Sequence, residues 1–102
     1  MTRTYSLRLH PNLEKQLLRI PGKDRQRIAA GIRSLAVEPR PAGCVKLEKN
    51  LYRIRQGQYR IIYGIFDQDV VVVICKVARR SEETYKNIQS LLDMALRVIE
   101  DE

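Results

Sequence analysis

Tryptophan is missing from this chain, histidine and phenylalanine each occur once, and cysteine occurs twice. With His10 alone and Cys44 distant from Cys75, there is no CxxC pair and no Cys/His cluster, so a structural zinc site lacks ligands. The two thiols read as small buried apolar residues of a reducing compartment. No run approaches the roughly 18–20 apolar residues that span a bilayer, and the opening MTRTYSLRLHPNLEKQLLRI lacks the continuous apolar centre of a secretory signal. The expectation is a soluble, cytoplasmic protein. A Ser-His-Asp set, a Gly-rich phosphate loop and a metal-binding carboxylate cluster are also missing, which removes the commoner hydrolase designs, and no cofactor is expected. His10 stands beside Pro11, ahead of the first helical pattern, and is not read as a catalytic base.

What the chain does contain is arginine. At 102 residues and 44% hydrophobic it is long enough for one domain, spanning residues 1–102, and apolar enough that 30% charged residues do not imply disorder. The formal net charge is +7, although the last three residues are all acidic. Thirteen of the nineteen basic residues are arginine. A planar guanidinium bridges phosphate oxygens in bidentate fashion and stacks on bases, so the excess favours a nucleic acid. A membrane surface fits less well, because no helical pattern combines a lysine-rich face with large exposed apolar residues. General solubility charge is the bland alternative.

The hydrophobic period divides the chain in two. Residues Thr4 to Leu9 alternate weakly, as a short first strand does. Pro11 and Asn12 introduce a helix carrying Leu13, Leu17 and Ile20, and Pro21-Gly22 ends it. A second helix, from about Lys23 to Val37, sets Ile28, Ile32, Leu35 and Ala36 on one stripe. Pro39 and Pro41 stop the helical pattern, and a two-residue period takes over. Strands follow at roughly 44–56, with a break near Glu48 to Asn50, then 58–66 and 70–78. Gln56-Gly57 and Asp67-Gln68-Asp69 are the turns of an antiparallel meander. Ser81-Glu82-Glu83 suits the start of a last helix, with Ile88, Leu92, Ala95 and Ile99 on its apolar stripe. The fold class is α+β: a helical hairpin and a C-terminal helix on one face of a small antiparallel sheet, in the order β-α-α-β-β-β-α, with the other face partly open.

The stretch LYRIRQGQYRIIYGI, residues 51–65, places like charges together. With a two-residue Gln56-Gly57 turn, Arg55 faces Gln58, Ile54 faces Tyr59, Arg53 faces Arg60 and Tyr52 faces Ile61. Tyr52, Ile54, Tyr59 and Ile61 then pack on the helices, while Arg53, Arg55 and Arg60 share the other side. A three-residue turn would bury Arg60 among apolar neighbours, which argues for the even register. Opposed guanidinium groups destabilise a hairpin by up to about 1 kcal/mol, and a bound phosphate reverses that sign. The competing reading is a solvated face that shields the sheet. In KVARR, one of Arg79 and Arg80 must point to the arginine side, whichever register the second hairpin adopts. Tyr85 follows in the first turn of the last helix, as a core residue or as a group available to chemistry.

Arginine plus tyrosine suits one reaction well. RNA carries its own nucleophile, the 2′-hydroxyl, so an enzyme need only orient it and stabilise the charge that develops on the phosphoryl oxygens and the leaving group. A tyrosine among arginines has its pKa lowered, since nearby cations favour phenolate, and can then act as general base.

The element order, together with LYRIRQGQYRIIYGIFDQDVVVVICKVARRSEETY, resembles the RelE/ParE superfamily of bacterial toxins, and specifically its RelE-like messenger-RNA nucleases. The likeness is densest over residues 46–85, in the pattern Tyr-basic-Ile-basic, turn, Tyr-Arg-apolar-apolar-Tyr. It implies the toxin of a type II toxin-antitoxin system, a metal-independent endoribonuclease (mRNA interferase) that enters the ribosomal A site, contacts 16S ribosomal RNA and cuts the message. A cognate acidic antitoxin, helical or extended, would silence it by obstructing the arginines or displacing the last helix. By motif position the catalytic set is Arg53, Arg55, Arg60, Arg80 and Tyr85, with Lys46, Lys49, Arg79 and Lys86 as further RNA contacts. Arg53 and Arg55 stand where the best-known members carry lysine, and arginine surrenders a proton far less readily. Two other functions stay open: a non-enzymatic gyrase poison, as in the ParE-like branch, and a basic module that binds RNA without cutting it.

Overall fold

Both periods read from the sequence appear in the fold, with the change from helix to strand after Val37. The computed structural model describes residues 4–79 and 88–100. The elements are β1 (Ser6–Leu9), α1 (Pro11–Leu18), α2 (Gly22–Val37), β2 (Val45–Glu48), β3 (Leu51–Gln56), β4 (Tyr59–Phe66), β5 (Val71–Arg79) and α3 (Ile88–Glu100). None of the described helices is long and apolar enough to cross a membrane. His10 is the N-cap of α1: its Nδ1 accepts from the backbone N–H of Asn12 at 3.2 Å, and Pro11 fills the first turn, where a missing N–H does no harm. The helix start expected at Ser81-Glu82-Glu83 lies outside the described residues.

The five strands form one sheet in the order β1-β5-β4-β3-β2. Strands β2 to β5 are antiparallel neighbours, as the meander predicted, and the break near Glu48 to Asn50 is a tight hairpin with Asn50 at φ 66°. In addition β1 pairs with β5 in parallel, making the sheet mixed. The helical hairpin between them supplies the crossover that a parallel pair requires.

Helices cover both sides, which corrects the expectation of a single helical face. Leu13 of α1 and Ile28, Ile32 and Leu35 of α2 pack on Ile54, Ile61 and Tyr63. On the opposite side Leu91 and Ala95 of α3 pack on Leu51, Ile62 and Val73. An ideal Cβ on Gly64 would lie 2.8 Å from the Phe66 ring and 3.4 Å from Ala95 Cβ, so glycine in mid-strand lets α3 approach the sheet.

The loop after α2 is tied to the α1/α2 side. Tyr63 donates its hydroxyl hydrogen to the Pro39 carbonyl at 2.6 Å, and its ring stacks on Tyr52 at 6.1 Å. Arg40 lies 5.2 Å over the Tyr52 ring and pairs with Asp67 at 2.9 Å, while Tyr5 donates to the same carboxylate at 2.6 Å. Arg40 first and Tyr5 second hold the Asp67 carboxyl below the usual carboxylate range. A depressed folded pKa means that the stabilisation is present above the unfolded pKa and lost as pH falls through the folded one. Because Arg40 and Asp67 are 41% and 56% exposed, solvent screening limits the pair to about 0.2–1 kcal/mol. In urea titrations Asp67→Asn should be less stable than the parent by that margin at pH 7, and the two should converge as pH drops below the carboxylate range.

Val70 closes the β4–β5 turn at φ 55°, a left-handed conformation that a β-branched residue adopts only under strain. It is held there by its N–H on the Asp67 carbonyl and by its own carbonyl accepting from Ser6 N–H at 2.9 Å. Asparagine tolerates this region, so Val70→Asn should raise stability by roughly 0.5–1 kcal/mol, seen as an upward Tm shift in thermal unfolding.

Candidate functional site

The site is built on the β3–β4 hairpin, and its register decides who faces whom. The pairs are Gln56↔Tyr59, Arg55↔Arg60, Ile54↔Ile61, Arg53↔Ile62 and Tyr52↔Tyr63. The two-residue turn is therefore Gly57-Gln58, one position later than expected, and Arg60 opposes Arg55 instead of Arg53. Gly57 has φ 61° and Gln58 is not among the positive-φ residues. That is the requirement of a type II′ turn, where glycine takes the first central position. Each cross-strand partner moved by two positions, so the sides are unchanged: Tyr52, Ile54, Tyr59 and Ile61 face α1 and α2, and Arg53, Arg55 and Arg60 share the other side.

The three arginines occupy different depths. Arg55 is exposed, Arg60 half-buried, and Arg53 only 8% exposed. Nε and Nη1 of Arg53 are buried and meet no hydrogen-bond partner among the described residues. A buried cation in that condition is expensive, and a bound anion satisfies both its charge and its hydrogen bonds. Where β2 begins at Val45, Arg53 and Arg55 line a cleft of about 630 Å³ with Ser34, Pro41 and Gln56. Across the strands Arg55 and Arg60 are direct neighbours on one side, two like charges that a shared anion would bridge.

Other candidates from the sequence are scattered. Arg80, Tyr85 and Lys86 lie outside the described residues. Lys46 pairs with Tyr52 and so belongs to the α1/α2 side. Lys49 sits in the β2–β3 turn, at the far end of β3 from Arg55, beside Asp67 and Asp69. Arg79 pairs with Tyr59 and also falls on the α1/α2 side, while Lys76, absent from the candidates, pairs with Ile62 and joins the arginine side. The cause is a β-bulge at Cys75, where the register jumps from Tyr63↔Ile74 to Ile62↔Lys76. One extra residue reverses the alternation beyond it and re-aims both cations. Val71, Val73 and Cys75 face α3, and without the bulge Arg79 would follow them.

The remaining groups are held inert. Cys75 is buried against α3, and burial pushes its thiol up to about 12. Burial first, and Cys44 second, raise the Tyr63 phenol above its ordinary range, so it stays a neutral donor to Pro39.

Comparison with known proteins identifies the family. The family model described as ParE toxin of type II toxin-antitoxin system, parDE, matches residues 7–84. The putative toxin RelE1 of Methanocaldococcus jannaschii is 26% identical over 88 residues, covering 81% of this chain and 97% of that protein. In the crystal structure of the archaeal RelE-RelB complex from Pyrococcus horikoshii OT3, the matched chain superimposes with a TM-score of 0.68 at 29% identity, covering 78% of this chain and 98% of its own. The isolated Escherichia coli RelE toxin shares the fold at a TM-score of 0.66 and 18% identity, over 88% of this chain and 98% of that one. The match across most of the sequence, on a sheet that gathers Arg53, Arg55 and Arg60 on one side, makes this chain a member of the RelE/ParE family of type II toxin-antitoxin toxins.

Proposed function

We propose that this toxin is an endoribonuclease that cuts messenger RNA in the ribosomal A site and is silenced by a cognate acidic antitoxin. The observation that carries the reading is Arg53, nine-tenths buried with two guanidinium nitrogens unpartnered among the described residues, beside a cleft it shares with Arg55. A phosphodiester supplies the charge and the acceptors that this guanidinium lacks.

In the reaction the ribose 2′-oxygen attacks the adjacent phosphorus and loses its proton to a base. The bond from phosphorus to the 5′-oxygen breaks and that oxygen takes up a proton, balancing the one lost by the 2′-hydroxyl, to leave a 2′,3′-cyclic phosphate and a 5′-hydroxyl. Arg53, Arg55 and Arg60 hold the non-bridging oxygens as charge builds on them, a role in which a single donor is worth about 10²–10³ in rate. Tyr85 as base and Arg80 as a further phosphate ligand rest on the sequence resemblance. The antitoxin is supported by the Pyrococcus horikoshii relative, whose structure is that of a complex with RelB. It is supported also by the +7 charge, which favours an acidic cover.

Purified protein added to programmed ribosomes should cut the message at defined positions, and the cuts should be absent from an Arg60→Ala preparation made in parallel. An intact message with active ribosomes overturns the reading. The match to a ParE model favours a second reading, a poison of DNA gyrase. For that function the protein must block supercoiling in a purified gyrase assay while leaving messages whole.

A further inference from the structure

The bulge that turns Arg79 away from the arginine side delivers it to another place. Beyond Ile74, where β1 ends its pairing, the edge of β5 is open, and α1 runs alongside. Between them lies a groove of about 290 Å³ lined by Gln16, Arg19, Tyr59, Lys76 and Arg79. The sheet edge inside it is already managed: Val77 donates its backbone N–H to Gln16 Oε1 at 3.3 Å. That bond fixes the amide so that its oxygen faces the strand, leaving the two N–H groups of Gln16 to donate to a ligand. Tyr59 forms a wall, and its hydroxyl is committed to Asp24 at 3.2 Å. The described lining thus carries three cations and an oriented amide, with no carboxylate.

We propose that this groove is a second anion site, separate from the arginine side, that holds a backbone phosphate of the RNA being cut. The inference rests on the ribonuclease reading for its ligand but not for its geometry. Charge complementarity makes the occupant an anion. Continuity makes it RNA in preference to an acidic peptide: Lys76 lines the groove, yet by register it shares a sheet side with Arg53, Arg55 and Arg60. A polyphosphate chain gripped on the arginine side meets the groove as soon as it rounds the edge of β5. A nucleic-acid backbone carries a charge at every residue, whereas a peptide does so only where its sequence is acidic, so the continuity favours RNA.

The test is binding of a fluorescent twelve-nucleotide oligouridylate by anisotropy over a salt series. Arg19→Gln with Arg79→Gln removes the two exposed groove arginines, and Arg33→Gln with Arg97→Gln removes the same charge from exposed positions on α2 and α3. The groove pair should bind at least about tenfold more weakly, with the salt slope flattened by about 1.4, the value for two lost contacts to a single strand. The control pair should change affinity by less than about threefold, since it loses only diffuse charge. On programmed ribosomes the groove pair should raise KM and leave kcat unchanged. Equal losses in both pairs, or none in the groove pair, overturn the site. So does a groove pair that loses affinity for a polyglutamate peptide while its RNA isotherm is unchanged, because the occupant is then an acidic protein. If the parent protein fails to cut messages but the groove pair still loses oligouridylate, the ribonuclease reading falls and the anion site stands.

Discussion

Arg53→Met should give a protein that is more stable than the parent by about 1–4 kcal/mol and yet slower in message cleavage by about 10²–10³-fold. The two effects come from one feature. Arg53 is 8% exposed, lies between Val45 and Ile62 in the sheet, and leaves Nε and Nη1 without partners among the described residues. Among the described residues that guanidinium loses hydration without gaining an anion, so an unbranched apolar side chain of similar length relieves the desolvation and keeps the packing. On the proposed reading a bound phosphate supplies the partner, and the balance reverses. A gain of 1 kcal/mol should move Tm by about 4–8 °C in a domain of this size, well within reach of calorimetry. A methionine variant that is less stable would show that Arg53 is held by the fold for structural reasons. Full activity in that variant would remove Arg53 from the site.

Tyr63→Ala should be the most damaging change outside the site, with a loss of about 3–5 kcal/mol in urea unfolding. Tyr63 is fully buried on β4, stacks on Tyr52, and ties the sheet to the loop at Pro39. Small domains have only about 5–15 kcal/mol in total, so this single truncation brings the protein near its unfolding threshold. Tyr63→Phe keeps the ring and leaves the Pro39 carbonyl without its donor. It should lose about 1–3 kcal/mol, and the difference between the two variants separates packing from the hydrogen bond. Equal losses in the two would assign the whole effect to the hydroxyl.

Much of this site was legible in the residues themselves. Alternation put Arg53, Arg55 and Arg60 on one side and Tyr52, Ile54, Tyr59 and Ile61 on the other, and the register bears that out. It survived a misplaced turn because the pairing moved by an even number of residues. The turn itself was misread because its type depends on which central residue takes positive φ, and Gly57 fits the first position of one turn as readily as the second of another. The fate of Arg79 and Lys76 was not legible at all. A bulge at Cys75 has no marker in VVVVICKVARR, since its cause is the fit of β5 against β4 and α3.

Local covalent geometry was therefore enough to settle the kinds of element, the change from helical to pleated period after Val37, and the sidedness of the arginines, because helical and pleated repeats are properties of neighbouring residues along the chain. Tertiary packing alone decided that α3 shares the arginine side, that Arg53 is buried with N–H groups unpartnered among the described residues, and that Arg79 turns into the groove beside α1. Those outcomes depend on contacts between segments far apart in sequence, such as Ala95 against Gly64 and Gln16 against Val77. Space and unmet hydrogen bonds select them, and neither quantity is written in the order of residues along one strand.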